Sequence, residues 1–425
     1  MEATFISQLF ITVLFIIGYS AIVLEERLRI NKSAIALVTA VLCWTAHVMG
    51  AGIYVEEAHA SLGHHLSEVC EIVFFLFGAM AIVETVDAHN GFSIVTKCIK
   101  TRSRTKLLWV VGFITFFMSA VLDNLTSTIV MISMLKGLIP ARKDRLIIAS
   151  AVVIAANAGG AWTPIGDVTT TMLWMNGQLS VFPVMKSLFL PSVVSIVVTL
   201  FCLSFQMIPG NLDPVESQKG SQDPLPGGRL LFFVGTGLLA FVPAFKALTG
   251  LPPYMGILIG LGFLWVLTDI LHGDDEAKAQ LKVSHVLSKI DFSSILFFLG
   301  ILLTIGSMQS AGMLKYVASW LDSSVGSCEV IATVIGLASA VVDNVPLVAA
   351  CMGMYDLQAI PMDARFWQML AYCAGTGGSI LIIGSAAGVA LMGMEKIDFF
   401  WYMKKVSLSA LIGYLSGIAV YLFLN

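Results

Sequence analysis

Charge is what this chain has least of. Only 12% of its 425 residues are Asp, Glu, Lys or Arg, roughly half the share usual in soluble domains. The deficit is uneven, and runs such as Leu9–Leu24, Leu107–Ala120, Leu190–Phe205 and Leu408–Leu424 carry almost none. Runs approaching about 20 apolar residues are what a bilayer crossing requires. A string of soluble domains is therefore excluded, and a polytopic membrane protein is expected. Cysteine is also sparse. The seven cysteines, at 43, 70, 98, 202, 328, 351 and 373, lie mostly inside apolar runs with no CxxC spacing, which argues against a disulfide framework or a zinc site. With a net charge of −3 and no dense basic stretch, nucleic-acid binding is excluded as well. The amino terminus lacks a basic leader. Its first apolar run ends at Glu25-Glu26-Arg27-Leu28-Arg29, so a retained first helix is expected rather than a cleaved signal.

What is present is an all-α pattern. Hydropathy and breakers place ten full spans, at about 6–24, 33–54, 70–90, 146–175, 183–206, 229–248, 253–271, 291–311, 366–393 and 405–424. Two further segments, 107–138 and 329–352, are too long for one helix and carry an Asp-Asn pair near the middle. Of the 24 basic residues, all but Lys186, Lys246, Lys315 and Arg365 fall in loops on one side of this scheme. The positive-inside rule makes that side cytoplasmic and puts both termini outside. Segment 107–138 then begins and ends in the cytoplasm, and 329–352 begins and ends outside. Both are expected to be re-entrant hairpins whose tips are buried in protein or line a wet cavity.

The two halves repeat. Ser119-Ala-Val-Leu-Asp123-Asn124 matches Ser339-Ala-Val-Val-Asp343-Asn344, and Asn157-Ala-Gly-Gly…Gly166-Asp167 matches Gly375-Thr-Gly-Gly…Gly384-Ser385. Phe77-Gly78 similarly precedes Phe298-Leu299-Gly300. An odd number of crossings per half makes the second copy inverted, an architecture associated with secondary transporters. The expected organisation is an N-terminal repeat over 1–208, a cytoplasmic Pro/Gly-rich linker over 209–228 and a C-terminal repeat over 229–425. Each repeat has about five spans, including a broken helix (146–175 and 366–393), plus one hairpin. Loop 272–290 alternates apolar residues with lysines and could form an interfacial helix or a plain loop.

Ionisable groups inside spans cost about 2.5–3.5 kcal/mol on insertion scales and need a reason. Asp123 and Asp343 could simply cap helices, but a neutral Ser or Asn would do so without burying charge. Asn157–Asp167 holds three glycines and a proline in mid-span, which frees backbone groups within the membrane, although glycines also serve close helix packing. Thr169 and Thr170 follow Asp167, while in the second copy Thr376 and Ser385 flank a break without a carboxylate. Carboxylates, amides, hydroxyls and carbonyls together suit a hard cation. A carboxylate there lets cation and proton compete, as antiport requires. Glu84, Asp87 and His89 close the third span, either as a solvated helix end or as a route for protons or pH sensing.

These motifs, with Gly78-Ala-Met-Ala-Ile-Val-Glu84-Thr-Val-Asp87-Ala-His89-Asn-Gly91, resemble the NhaD-type sodium/proton antiporters of the ion transporter superfamily, which also holds arsenite and dicarboxylate carriers. The resemblance covers nearly the whole chain. It implies a homodimer in a bacterial inner membrane, with a fixed scaffold and a moving transport domain of elevator type. It also implies exchange of cytoplasmic Na+, and Li+, for external H+, with no cofactor and no partner beyond these ions and membrane lipid. Polar residues matching Asp123, Asn124, Asn157, Asp167, Thr169, Thr170, Asp343 and Asn344 are those it links to transport. Thr126, Thr163, Thr376 and Ser385 are further candidate ligands. An anion or dicarboxylate carrier of the same fold is the alternative, but such carriers typically have Ser-Asn-Thr where this chain has Asp123 and Asp343, and a carboxylate there would repel an anion. An intramembrane aspartyl protease would need a Gly-x-Gly-Asp context that Pro164-Ile-Gly166-Asp167 does not provide, so no enzymatic activity is expected.

Overall fold

A computed structural model describes residues 2–50, 55–96, 99, 101, 103–139, 141–207, 210, 211, 225, 227–273 and 280–425. The described residues form helices, turns and one isolated backbone bridge. By length and composition, seven of the helices could each cross a membrane, and the protein is a polytopic all-α membrane protein. The six cysteines among the described residues are free thiols.

The expected interruptions appear as helix breaks. Arg104–Ser119 is followed by Asn124–Leu138, and Cys328–Ala338 by Asn344–Met354. The two broken spans read Arg142–Ala161 then Val168–Met175, and Arg365–Gly377 then Ala386–Glu395.

The third span needs correction. One helix runs from Val55 to Ala88, so 55–69 is helical and not a loop connection. Glu56 and Glu57 in the first turn favour a helix N-terminus through the backbone dipole. A His64–Glu68 pair at 3.3 Å, spaced i,i+4, supports the polar turn that follows. The stretch 312–328 likewise contains a helix, Met313–Val325, bounded by left-handed Gly312 and Gly326. Among the described residues of loop 272–290 there are short helical pieces, including Val283–Val286 and Leu287–Lys289. Val283 and Val286 are fully buried, so this segment packs into the protein. Residues 274–279 and nearly all of the 209–228 linker lie outside the described residues.

The chain divides into two compact units that do not follow the sequence halves. The first comprises Met1–Phe77, Asp291–Ser327 and Val345–Pro361. Its centre is helix Lys32–Gly50 packed on Glu2–Val23 and Phe292–Ser310. Gly300 sits against the Ala36 backbone, where a Cβ would come within 2.6 Å. Trp44 Nε1 donates to the Leu303 carbonyl at 2.9 Å and Ser33 Oγ to that of Ser293 at 2.6 Å.

The second unit comprises Gly78–Ile290, Cys328–Asn344 and Met362–Asn425. Its core gathers buried side chains from Leu107 through Ala158, with Ile196, Leu200, Tyr402 and Val406. Here the matched motifs make matched contacts. Ser119 Oγ donates to the Ala156 carbonyl at 2.7 Å, and Ser339 Oγ to that of Ala374 at 2.8 Å. Gly159 lies against the carbonyl of Phe116, and Gly377 against that of Gly336. No side chain larger than hydrogen fits either place, which is why each break motif retains its glycine.

Candidate ion-binding site

All of the sequence-selected polar residues fall in the second unit. Their local geometry separates them into three groups.

The first group forms a side-chain ladder. Asn124, buried at the first turn of Asn124–Leu138, donates from Nδ2 to Asn157 Oδ1 at 3.0 Å. Asn157, fully buried, donates from Nδ2 to Ser385 Oγ at 3.0 Å. Ser385 also accepts from the Gly388 amide at 3.2 Å and so caps Ala386–Glu395. The ladder runs from the first hairpin segment through the first broken helix into the second. It joins residues 228 positions apart, and the sequence motifs give no hint of that pairing.

The second group consists of Asp167 and buried hydroxyls that lack a hydrogen-bond partner. Asp167 is 1% exposed and caps Val168–Met175, accepting from the Thr169 amide at 3.2 Å. That bond uses Oδ1, and Oδ2 has no hydrogen-bond partner although it is buried. Thr169 Oγ1 is in the same condition, as are Ser127 Oγ and Thr128 Oγ1 on the first hairpin segment. Ser127 and Thr128 were not among the expected ligands. The available signal was the Thr126-Ser127-Thr128 run itself, in which helical spacing turns successive hydroxyls to different faces. Each buried polar atom left unsatisfied costs about 1–3 kcal/mol, and among the several in this unit Asp167 Oδ2 is the one carboxylate oxygen. Thr170 makes only a long contact, 3.5 Å from its hydroxyl to the Ala161 carbonyl. Beside Asp167 Oδ2 stands Gly375, the repeat equivalent of Asn157, where a Cβ would lie 3.0 Å from that oxygen.

The third group is occupied locally. Asp123 caps Asn124–Leu138, accepting from the Thr126 amide at 2.8 Å on Oδ1 and from the Thr126 hydroxyl at 2.5 Å on Oδ2. Capping is thus one of its roles, and Thr126 positions it. Thr163 donates to the Ala120 carbonyl at 2.7 Å and Thr376 to that of Tyr372 at 2.5 Å. The first of these bonds ties one break to the other, and the second stays within helix Arg365–Gly377. Asp343 is half-buried and Asn344 is buried at the start of Asn344–Met354.

At the C-terminal end of helix Val55–Ala88, His89 is fully buried, whereas Asp87 is exposed and Glu84 half-buried. The solvated-end reading fits Asp87 and fails for His89. His89 Nδ1 lies 2.7 Å from the Thr85 carbonyl, and its Nε2 lies 2.7 Å from Nε2 of His272, with the rings stacked at 5.0 Å. A carbonyl can only accept, so Nδ1 of His89 is the donor. One proton then occupies the gap between the two Nε2 atoms. A second buried pair joins Arg145 to Glu395, with guanidinium–carboxylate contacts of 2.8 and 2.9 Å. Neither His272 nor Glu395 stands in a recognisable motif, and both partnerships are long-range.

Comparison with known proteins places these features in context. The citrate transporter family, CitMHS, matches residues 13–371. The chain is 57% identical to sodium/proton antiporter 1 of Arabidopsis thaliana, over 96% of this chain and 71% of that protein. It is 54% identical to sodium/proton antiporter 2 of the same plant, over 96% of this chain and 98% of that one. It is 30% identical to the Na+/H+ antiporter NhaD of Alkalimonas amylolytica, over 97% of this chain and 89% of that protein.

Proposed function

Because the chain belongs to the NhaD-type sodium/proton antiporter family, within the wider citrate transporter family, we propose that it exchanges Na+ for H+ at the Asp167 site. The observation that carries this reading is the pair of buried, unpartnered oxygens, Asp167 Oδ2 and Thr169 Oγ1. An oxygen-only donor set suits a hard cation. Protonation of the same carboxylate removes the charge that holds the cation, so one site alternately takes either ion. Asp123 lies opposite, braced by Thr126, and Asn124, Asn157 and Ser385 fix the two broken helices beside it. Thr170 completes the first-copy ligands. Asp343 and Asn344 carry the proton from the second copy, whose broken helix has neutral Ser385 in place of Asp167.

The finer features follow the same logic. Li+ presents the same hard chemistry and is a second substrate. Cytoplasmic Na+ leaves as external H+ enters. The halves are inverted repeats with re-entrant hairpins, and both termini face outside. The unit containing every candidate residue is the carrying body of an elevator-type, alternating-access cycle in a homodimer. The His89–His272 pair, with Glu84 and Asp87, sits at the proton-entry or pH-sensing end. A bacterial inner membrane is one setting for this exchange. The higher identity to the plant proteins favours a eukaryotic membrane as the other.

The competing reading is a carboxylate-anion carrier, which the citrate family match favours. The carboxylates of Asp123, Asp167 and Asp343 oppose an anion electrostatically. The deciding experiment loads inside-out vesicles with a quenched pH dye, establishes an acid interior and adds Na+, Li+, K+ or citrate. Dequenching by Na+ supports the proposal. A response to citrate with none to Na+ would replace it.

A further inference from the structure

Below the break that ends in Asp123, the second unit contains an apolar crevice of about 400 Å³. Phe113, Phe117, Met118 and Leu122 form one wall, and Phe232 and Thr236, on helix Gly228–Thr249, form the other. Among these six only Thr236 is polar. Water needs two to four polar partners to stay in a cavity, so this one suits hydrocarbon. Its mouth is basic. Lys106 precedes Phe113 by seven residues on Arg104–Ser119, and Arg229 precedes Thr236 by seven on Gly228–Thr249. That spacing returns to the same helix face, and both side chains are exposed. Between Lys106 and the crevice, Trp109 stacks on Phe113 with ring centroids 6.1 Å apart, a residue type favoured at headgroup depth.

We propose that this crevice is a phospholipid site, with one acyl chain between the two walls and an anionic headgroup held by Lys106 and Arg229. The complementarity is twofold, apolar walls for the chain and two cations for the phosphate. A chain seated there rests on Met118 and Leu122, directly before the Asp123 cap, and so braces the break. The reading concerns a lipid held on the outside of the transport machinery and stands whether the transported ion is Na+ or another.

Native mass spectrometry of the full-length protein, stripped of lipid in detergent and titrated with phosphatidylglycerol or phosphatidylcholine of identical chains, tests it. Two surface cations each add about fivefold to anionic-lipid binding. Lys106→Gln with Arg229→Gln should therefore weaken phosphatidylglycerol about thirtyfold and leave phosphatidylcholine nearly unchanged. Thr236→Phe and Met118→Phe, which fill the crevice, should weaken both. As a check that needs no filled variant, phosphatidylglycerol brominated on its chains should quench wild-type fluorescence, and Trp109→Phe should remove most of that quenching. Equal binding of the two lipids by wild type would overturn the headgroup assignment. Undiminished binding by the filled variants, or quenching that ignores Trp109→Phe, would show headgroup contact at the surface alone. Oleate binding tighter than phosphatidylglycerol would make it a fatty-acid site and overturn the proposal.

Discussion

One methyl group tests the placement of the cation. Gly375 lies within helix Arg365–Gly377, where alanine is the better helix former by about 1 kcal/mol, so Gly375→Ala should fold. Its new Cβ would stand 3.0 Å from Asp167 Oδ2 and 3.3 Å from Ala161 Cβ. Ordinary contact is restored if the carboxylate oxygen withdraws by about 0.4 Å. The Asp167 cap uses Oδ1 on the Thr169 amide, so a small rotation of the carboxylate can move Oδ2 and preserve the helix start. A cation–oxygen contact of about 2.4 Å, typical of hard cations, then stretches to about 2.8 Å. At an effective dielectric constant of about 20 the attraction falls from about 6.9 to about 5.9 kcal/mol. The loss of about 1 kcal/mol corresponds to a fivefold rise in the Na+ concentration giving half-maximal dequenching. Ser385→Ala, at the position that matches Asp167 in the second copy, should change that value less than twofold. If Gly375→Ala left the half-maximal concentration unchanged while Ser385→Ala raised it fivefold, the ion would not sit at Asp167.

Asp123→Asn and Asp343→Asn should each abolish Na+-dependent proton movement while the protein still elutes as a monodisperse peak, since Asn retains capping ability but not the charge. Robust exchange in either variant would reduce that aspartate to a cap. Glu395→Gln leaves the Arg145 guanidinium buried beside a neutral amide and should cost about 3 kcal/mol, read as a lowered thermal midpoint, and an unchanged midpoint would make the pair dispensable. His272→Gln can still donate to His89 Nε2 but cannot take up a proton, so the exchange rate should respond less steeply to acidification, and an unaltered pH profile would remove the pair from regulation. A cysteine introduced at position 60 or 322 should react with an impermeant thiol reagent on intact cells, and one at 102 or 218 should not, with labelling at 102 reversing the orientation.

The fold class was legible because hydropathy and chain breakers are local. Every expected span has a helical counterpart, and the breaks fall at the Asp-Asn and glycine-rich motifs. The error at 55–69 has a physical origin. Glu56, His64 and Glu68 lower the hydropathy there, yet as dipole-matched and paired residues they extend a helix instead of ending it. At the candidate site, the residues that could be named were those whose type alone is anomalous in a membrane, above all Asp123, Asp167 and Asp343. Their roles were not legible. Thr126 and Thr163 could be listed as hydroxyls, but only geometry shows that one braces Asp123 and the other holds a break. His272 and Glu395 become visible only through partners 183 and 250 positions away.

The matched motifs make matched contacts and still leave the two copies chemically unlike. Equivalent serines, Ser119 and Ser339, anchor equivalent breaks, so backbone geometry is shared by the two copies. The side chains set into it are not. Position 157 of the first copy faces position 385 of the second as an Asn–Ser hydrogen bond. Its mirror, 375 facing 167, brings together a glycine and a carboxylate oxygen without a hydrogen-bond partner. The first arrangement satisfies itself and locks the two broken helices together. In the second, the missing side chain leaves that oxygen facing a glycine. The matched motifs thus differ at two positions, Gly375 against Asn157 and Asp167 against Ser385, and that difference separates a satisfied contact from an unsatisfied one.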